Sequence, residues 1–245
     1  MRIGLFYTCL VDTMRPEIGF ATLKLLESAG CEVLVPESQT CCSQPAYNSG
    51  DRATARALAE KFVSEFEQFD YVVIPSGSCG GMVRVHYADL FAGDAAWSAR
   101  MQSLASRVYE LTEFLYTVLK LDANSIIAQS DFSGRVTYHD SCCGLRELGV
   151  QAQPRALLAQ VPGLQLKEMK DCRACCGFGG TFSVKYGAVS SAIADEKCAN
   201  IRDSGASAVV LGDLGCMLNI EGRLRRSGDS TTRVLHVAEV LAGGA

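Results

Sequence analysis

Twelve cysteines stand in a chain of 245 residues, and six of them form adjacent pairs. One pair is Cys142-Cys143; the other two are Cys41-Cys42, in "SQTCCSQPAYNSGD", and Cys175-Cys176, in "CRACCGFGGTFS". Each of these other two has matched companions. Cys9 lies 32 positions before Cys41, and Cys142 lies 33 before Cys175; Cys79 follows Cys42 by 37, and Cys216 follows Cys176 by 40. The two pairs are offset by 134 positions. Small buried thiols used only for packing would not repeat their spacing in this way, whereas an internal duplication would. Four thiolates are the usual complement of an iron–sulfur cluster. They also complete a tetrahedral zinc site, although zinc ligands are commonly separated by about two to four residues. Neighbouring thiolates diverge, which suits two iron atoms better than one ion. The expected metal ligands are therefore Cys9, Cys41, Cys42 and Cys79 in one half, and Cys142, Cys175, Cys176 and Cys216 in the other. Cys143 is the alternative to Cys142.

Residues around the thiols extend this reading. The glycines of "SGSCGG" and "CCGFGG" allow close approach to a bulky ligand and positive φ. Gly80, Gly177, Gly179 and Gly180 are thus expected to cradle a cluster and offer amides to its sulfides. His139, in "YHDS", reads either as a proton carrier or as a strand-end histidine bonded to backbone. Arg15 and Arg146 follow the first cysteine of each half and could pair with an anionic cluster or a substrate carboxylate; charge on a helix surface is the plainer reading. Cys31 and Cys198 are expected in the core. Cys172 and Cys175 form a C-x-x-C that would suit thiol chemistry, but not in the helix-start setting of a thioredoxin-like unit.

Positioning so many thiols requires several strand ends. "RIGLFYTCL", "CEVLVPES" and "YVVIPSGS" read as strands. "EIGFATLKLLESAG" and "GDRATARALAEKFVSEFEQF" read as helices, with Gly30 closing the first and Asp51 capping the second. A long helix is expected from Ala95 to Lys120. The order then repeats: strand "RVTYHDS", helix "PRALLAQV", strand "LQLKEM", helix "VSSAIADEKCANIRDSG", strand "AVVLGD" and helix "MLNIEGRLRRSG", with "TRVLHVAEVLAG" closing the chain. This alternation predicts an α/β fold with two pseudo-repeated lobes, each a parallel sheet flanked by helices. The lobes are expected over residues 1–120 and 135–245, joined by a connection over 121–134. The cysteines fall at the carboxyl ends of strands, where open α/β sheets bind ligands.

Composition narrows the function. The formal net charge is −4, with no basic patch to mark a nucleic-acid footprint. No secretory signal and no transmembrane run of about 18 apolar residues is visible, so a cytoplasmic protein is expected, docked at most peripherally through partners. A reducing compartment disfavours disulfides, which leaves metal ligation as the use for the thiols. Neither "GSCGG" nor "GFGG" fits G-x-G-x-x-G, so no resident NAD or flavin is expected.

Longer motifs now become recognisable: "FYTCLVD" (Phe6 to Asp12), "CCSQPAYNSG" (Cys41 to Gly50), "PSGSC" (Pro75 to Cys79), "CCGFGGTFSVK" (Cys175 to Lys185) and the closing "HVAEVL". Through them the chain resembles, over nearly its whole length, the CCG-domain cysteine-rich iron–sulfur family. That family includes the heterodisulfide reductase B subunit, the glycolate oxidase iron–sulfur subunit and a lactate-utilization branch, which this chain resembles most. The resemblance implies one or two [4Fe-4S] clusters per chain, with zinc in one half as the alternative. It implies an oxidoreductase subunit that passes electrons during oxidation of L-lactate, or a similar 2-hydroxy acid, to pyruvate. It also implies two partners, lactate utilization proteins B and C, the first a ferredoxin-type iron–sulfur subunit. In one branch of the family a fifth cysteine closes a terminal C-x-x-C; here Met82 and Asn219 stand at those positions. A four-thiolate cluster is then expected rather than a non-cubane one, and heterodisulfide-reductase-like thiol–disulfide turnover is disfavoured. A zinc-bound scaffold that assembles the same complex is the remaining alternative.

Overall fold

A computed structural model describes residues 1–122, 125 and 130–243. Among the described residues, eight strands form two four-stranded parallel sheets of identical topology. The first sheet contains β1 (Arg2–Leu5), β2 (Glu32–Leu34), β3 (Tyr71–Ile74) and β4 (Val108–Glu110), in the order β2-β1-β3-β4. The second contains β5 (Gly134–Tyr138), β6 (Leu164–Leu166), β7 (Ala208–Leu211) and β8 (Arg233–His236), in the order β6-β5-β7-β8. The chain runs outward from the central strand to one edge and then crosses back to the other side. A crevice therefore opens at the carboxyl ends of β1 and β3, and another at those of β5 and β7.

Helices cover both sheets. In the first half they are α1 (Cys9–Met14), α2 (Pro16–Ser28), α3 (Gln44–Asn48), α4 (Arg52–Phe66), α5 (Gly77–Gly81), α6 (Tyr87–Leu90), α7 (Ala95–Ala105) and α8 (Leu111–Glu113). In the second they are α9 (Cys142–Arg146), α10 (Ala152–Leu158), α11 (Thr181–Lys185), α12 (Gly187–Asp203), α13 (Leu214–Arg226) and α14 (Val237–Ala242). Short π-helical turns at Met82–His86 and Phe114–Val118 extend α5 and α8. Local chemistry sets several boundaries. Asp51 caps α4 by accepting from the Thr54 amide at 3.1 Å, and Gly30, at φ +79°, carries the chain out of α2 as expected.

The expected long helix from Ala95 to Lys120 is instead a helix, a strand and a second helical segment. After α7 the Arg107 amide bonds the Leu104 carbonyl, and Val108–Glu110 pair in parallel with Val72–Ile74. Propensity and apolar spacing in a three-residue strand are too short a signal to outweigh the helical pattern around it. The connection expected over 121–134 lies in part, at 123–124 and 126–129, outside the described residues.

The two halves meet through equivalent elements. Helix α2 packs against α14, as α10 packs against α8; α5 packs against α9, as α1 packs against α13. An approximate two-fold relation follows. One shared core, including Leu25, Leu26, Phe114, Tyr138, Leu157 and Leu241, runs between the sheets. Separate cores lie under each outer face: Phe6, Phe62, Phe66 and Tyr87 in the first half, and Ile201, Val209, Ile220 and Leu224 in the second. The α5–α9 approach needs glycine. A Cβ on Gly77 would sit 2.8 Å from Ser141 Oγ and 3.0 Å from the Gly144 backbone.

Candidate metal centre

The sheet register makes the cysteines correspond. Phe6 N donates to the Val73 carbonyl and His139 N to the Val210 carbonyl, each at 3.0 Å. Phe6 and His139 are therefore equivalent, and counting three residues onward makes Cys9 equivalent to Cys142, not to Cys143. Cys79 and Cys216 occupy the first turns of α5 and α13, three residues after the equivalent caps Ser76 and Asp213. In each half one cysteine follows the central strand, a pair follows the edge strand and one follows the third strand.

In the first half the thiols form a hydrogen-bonded chain from Cys9 to Cys41 to Cys42 to Cys79. Bonds from Cys42 and Cys9 hold the Cys41 thiol down at about 3, while sharing their protons and burial push Cys9 and Cys42 up. The chain thus concentrates one negative charge and resists more, a state that a bound cation would relieve. These thiols line a cavity of about 330 Å³. Three loops are braced to deliver them. Gln39 accepts from the Tyr7 amide at 2.7 Å, Tyr87 donates to the Cys42 carbonyl at 3.1 Å, and Gln44 donates to the Ser78 carbonyl at 3.3 Å.

In the second half Cys176 donates to Cys216 at 2.9 Å, far longer than the roughly 2.05 Å of a disulfide. All twelve cysteines are free thiols. Gly177 N donates to Cys175 Sγ at 3.3 Å and Phe178 N to Cys176 Sγ at 3.5 Å. Cys216, although steadied by its bond with Cys176, is pushed up to about 11 by burial. A hydrogen bond from Cys143 draws Cys142 down to about 7. Both Cys142 and Cys143 line a cavity of about 140 Å³ with Cys175, Cys176 and Cys216. The charge of Cys142 bears on Cys216, whereas Cys143 feels Cys142, Glu147 and Asp213. The two cavities share Gln44, Asn48, Ser78, Phe178 and Gly180 as a common wall.

The glycine after the second pair is required. Gly177 has φ +86°, and a Cβ there would lie 2.6 Å from the Ser190 carbonyl. Its counterpart Ser43 adopts the same left-handed backbone at φ +70°, at a cost of about 1 kcal/mol. Gly179 and Gly180 also take positive φ and line the second cavity, and Gly80 packs against Leu148. Met82 is fully buried in the first core, and Asn219 donates to the Cys176 carbonyl at 2.8 Å. Both positions of the absent fifth cysteine thus have structural work of their own.

The basic candidates divide. Arg15 is committed to Glu221 of α13 at 2.5 Å and so ties the halves together. Arg146, exposed at the end of α9, lowers the Cys175 thiol by its charge, against the stronger upward effect of the Cys176 bond and burial. His139 is buried, and burial with the nearby Lys197 charge holds its imidazole down at about 3, in the neutral form. Cys31 and Cys198 lie in the core as expected. The Cys172 thiol faces Asp140, and burial raises it.

Two site-supporting residues carry signals that the cysteine pattern obscured. Asp213 is buried; its Oδ2 accepts from Ser78 N at 2.7 Å and Ser76 Oγ at 3.2 Å, while Oδ1 accepts from Gly215 N at 3.1 Å and Cys216 N at 3.4 Å. It joins the turn bearing Cys79 to the turn bearing Cys216. An aspartate between strand "AVVL" and a helix is a legible cap; its reach to the other lobe is not. Lys197, buried in α12, donates to the Asp171 carbonyl at 2.6 Å and the Cys172 carbonyl at 3.3 Å, placing a cation beside the second thiol group.

Comparison with known proteins agrees with this geometry. The cysteine-rich domain family CCG matches twice, over residues 3–84 and 136–221. Lactate utilization protein A 2 of Bacillus cereus (strain 03BB102) is 44% identical over 100% of this chain and 99% of its own length. Lactate utilization protein A of Geobacillus kaustophilus (strain HTA426) is 46% identical over 98% of each chain. With two matches that span both thiol groups and relatives aligned from end to end, the chain belongs to the CCG cysteine-rich domain family.

Proposed function

We propose that the chain is a metal–thiolate redox subunit of a lactate utilization system, with [4Fe-4S] chemistry in at least the first lobe. The observation that carries the reading is the convergence of two equivalent thiol groups on two cavities with a common wall. The names of the relatives supply the lactate context. The donor set fits: soft thiolates select iron–sulfur clusters or zinc, and the string of thiols from Cys9 to Cys79 fits several metal atoms better than one. When bound, such a cluster supplies one-electron transfer.

The chain's own residues would do the rest. Cys9, Cys41, Cys42 and Cys79 hold one group; Cys142, Cys175, Cys176 and Cys216 are the thiols available to the other. Amides of Gly177 and Phe178 already point at sulfur, and Arg146 and Lys197 offset negative charge. The lobes over 1–120 and 135–245 act as paired holders, with Asp213 fixing their relation. Electrons from oxidation of lactate, or a similar 2-hydroxy acid, would pass through this subunit to partners, proteins B and C of the same system. No helix among the described residues is long and apolar enough to cross a membrane, so any membrane contact is assigned to partners.

Anaerobic purification with iron, sulfide and zinc analysis, and EPR of the reduced sample, tests the reading. About eight irons with matching sulfide indicate two four-iron clusters, and about four indicate one. Zinc without sulfide after anaerobic handling would overturn the redox role and leave a zinc-bound scaffold.

A further inference from the structure

The two lobes are equivalent in backbone but not in the side chain behind the thiols. Phe6 in the first lobe packs edge-on against Phe62, with ring centroids 4.9 Å apart, and against Phe66 at 5.7 Å. The equivalent residue in the second lobe is His139, which is 1% exposed. Neither of its ring nitrogens makes a well-formed hydrogen bond. The Cys172 carbonyl faces the ring and favours a proton on that side, but it already accepts from Lys197. A buried imidazole with an unused nitrogen costs free energy unless something takes its lone pair.

The ring also lies beside two of the thiols. A His139 ring nitrogen, Cys176 Sγ and Cys216 Sγ all lie within 4.8 Å of one another. Among the described residues no three first-lobe thiols meet so closely, since those four string out from Cys9 to Cys79. A compact trio suits a single metal atom. From this we infer that His139 is a direct ligand in the second lobe. With Cys176 and Cys216 it forms a mixed nitrogen–sulfur site for a borderline divalent transition metal of the zinc or iron(II) class. A further ligand comes from Cys142 or Cys175, whose charges both bear on Cys216.

Donor chemistry supports this assignment. Cysteine and neutral histidine together are a common set for zinc, and imidazole replaces thiolate on one iron in some iron–sulfur centres, where it raises the potential. A ligating histidine usually directs its second ring nitrogen to a carbonyl or carboxylate, which fixes ring orientation; the Cys172 carbonyl lies against this ring. The inference rests on the metal–thiolate reading above, and it makes the two lobes chemically different centres.

The test uses the full-length chain, handled anaerobically, with Cys42→Ser to disable the first lobe. Stripped of metal and titrated with Co(II), this protein should bind one ion, with thiolate charge-transfer absorption and hyperfine coupling to one directly bound histidine nitrogen. Adding His139→Phe, which copies the first lobe, should remove that coupling and weaken Co(II) binding at least about tenfold. His139→Cys should keep the ion and strengthen the thiolate absorption, which separates lost ligation from lost folding. Before stripping, zinc or iron without sulfide in the Cys42→Ser protein supports the single-ion site; iron with matching sulfide there overturns it. The inference fails if the Cys42→Ser protein binds no Co(II), or if a folded His139→Phe variant keeps the same affinity and nitrogen coupling. Failure of the wider reading is separate: it is the absence of iron and sulfide from the unmodified protein.

Discussion

Replacing Asp213 should damage both lobes at once. Its buried carboxylate accepts four hydrogen bonds, two from the cap of α13 and two from the turn that carries Ser76 and Ser78. Asp213→Ala removes an N-cap, worth about 1 kcal/mol. It also strips partners from the Ser78 amide and Ser76 hydroxyl, bonds to a charged acceptor worth roughly 1.5–3 kcal/mol each before relaxation. With water reaching part of the opened space, a net loss of about 3–4 kcal/mol is expected. Asp213→Asn is the sharper probe. One side of its amide can still accept, but the other turns N–H groups toward N–H groups, either at Ser78 or at the α13 cap. A loss of about 2 kcal/mol follows. Urea unfolding of the anaerobic protein measures both variants, and metal analysis after gel filtration measures retention. Stability should fall in the order parent, Asn, Ala, with metal lost from both lobes because Cys79 and Cys216 sit on the two joined turns. A loss below about 1 kcal/mol for Asp213→Ala, or metal lost from the second lobe alone, would refute the clamp.

Three other outcomes follow from the same contacts. Burial raises Glu110 to about 7 despite bonds from Thr112 and Glu113. The folded state thus holds its proton more tightly than the unfolded chain, so stability is greatest below the ordinary carboxyl pKa and declines toward pH 7. Glu110→Gln should be near parental at pH 5 and more stable by about 3 kcal/mol at pH 8, read from urea midpoints; equal stability at pH 8 would contradict this. Arg155 makes paired bonds of 2.8 and 3.0 Å to Asp140, whose side chain is fully buried. Arg155→Leu should cost about 3–5 kcal/mol by calorimetry or urea, with part recovered by adding Asp140→Asn. Gly177→Ala must place a Cβ 2.6 Å from the Ser190 carbonyl at φ +86°. It should cost about 2–3 kcal/mol and empty the second metal site before the first, as metal analysis will show.

Much of this protein was legible in the residues themselves. Duplicated cysteine spacing implied two equivalent lobes, and the sheets share one topology. Alternating apolar runs located six of the strands and left β8 unassigned within the closing stretch, and Asp51 and Gly30 marked helix ends through local backbone chemistry. These signals act within a few residues, where side-chain period and capping preference are set. Strand β4 escaped because its pairing with β3 joins Val108 to Val72, a partner that no local window contains. The tertiary structure alone decided the rest. It committed Arg15 to Glu221 across the two-fold relation, stretched Asp213 from one cap to the other lobe, and set Cys142 rather than Cys143 in register with Cys9. It also turned His139 from a strand-end residue into a buried, unpartnered imidazole facing two thiols. The physical reason is common to all four. Which groups become neighbours, and which lose water, depends on how the sheets and helices pack, and the distances along the chain do not record it.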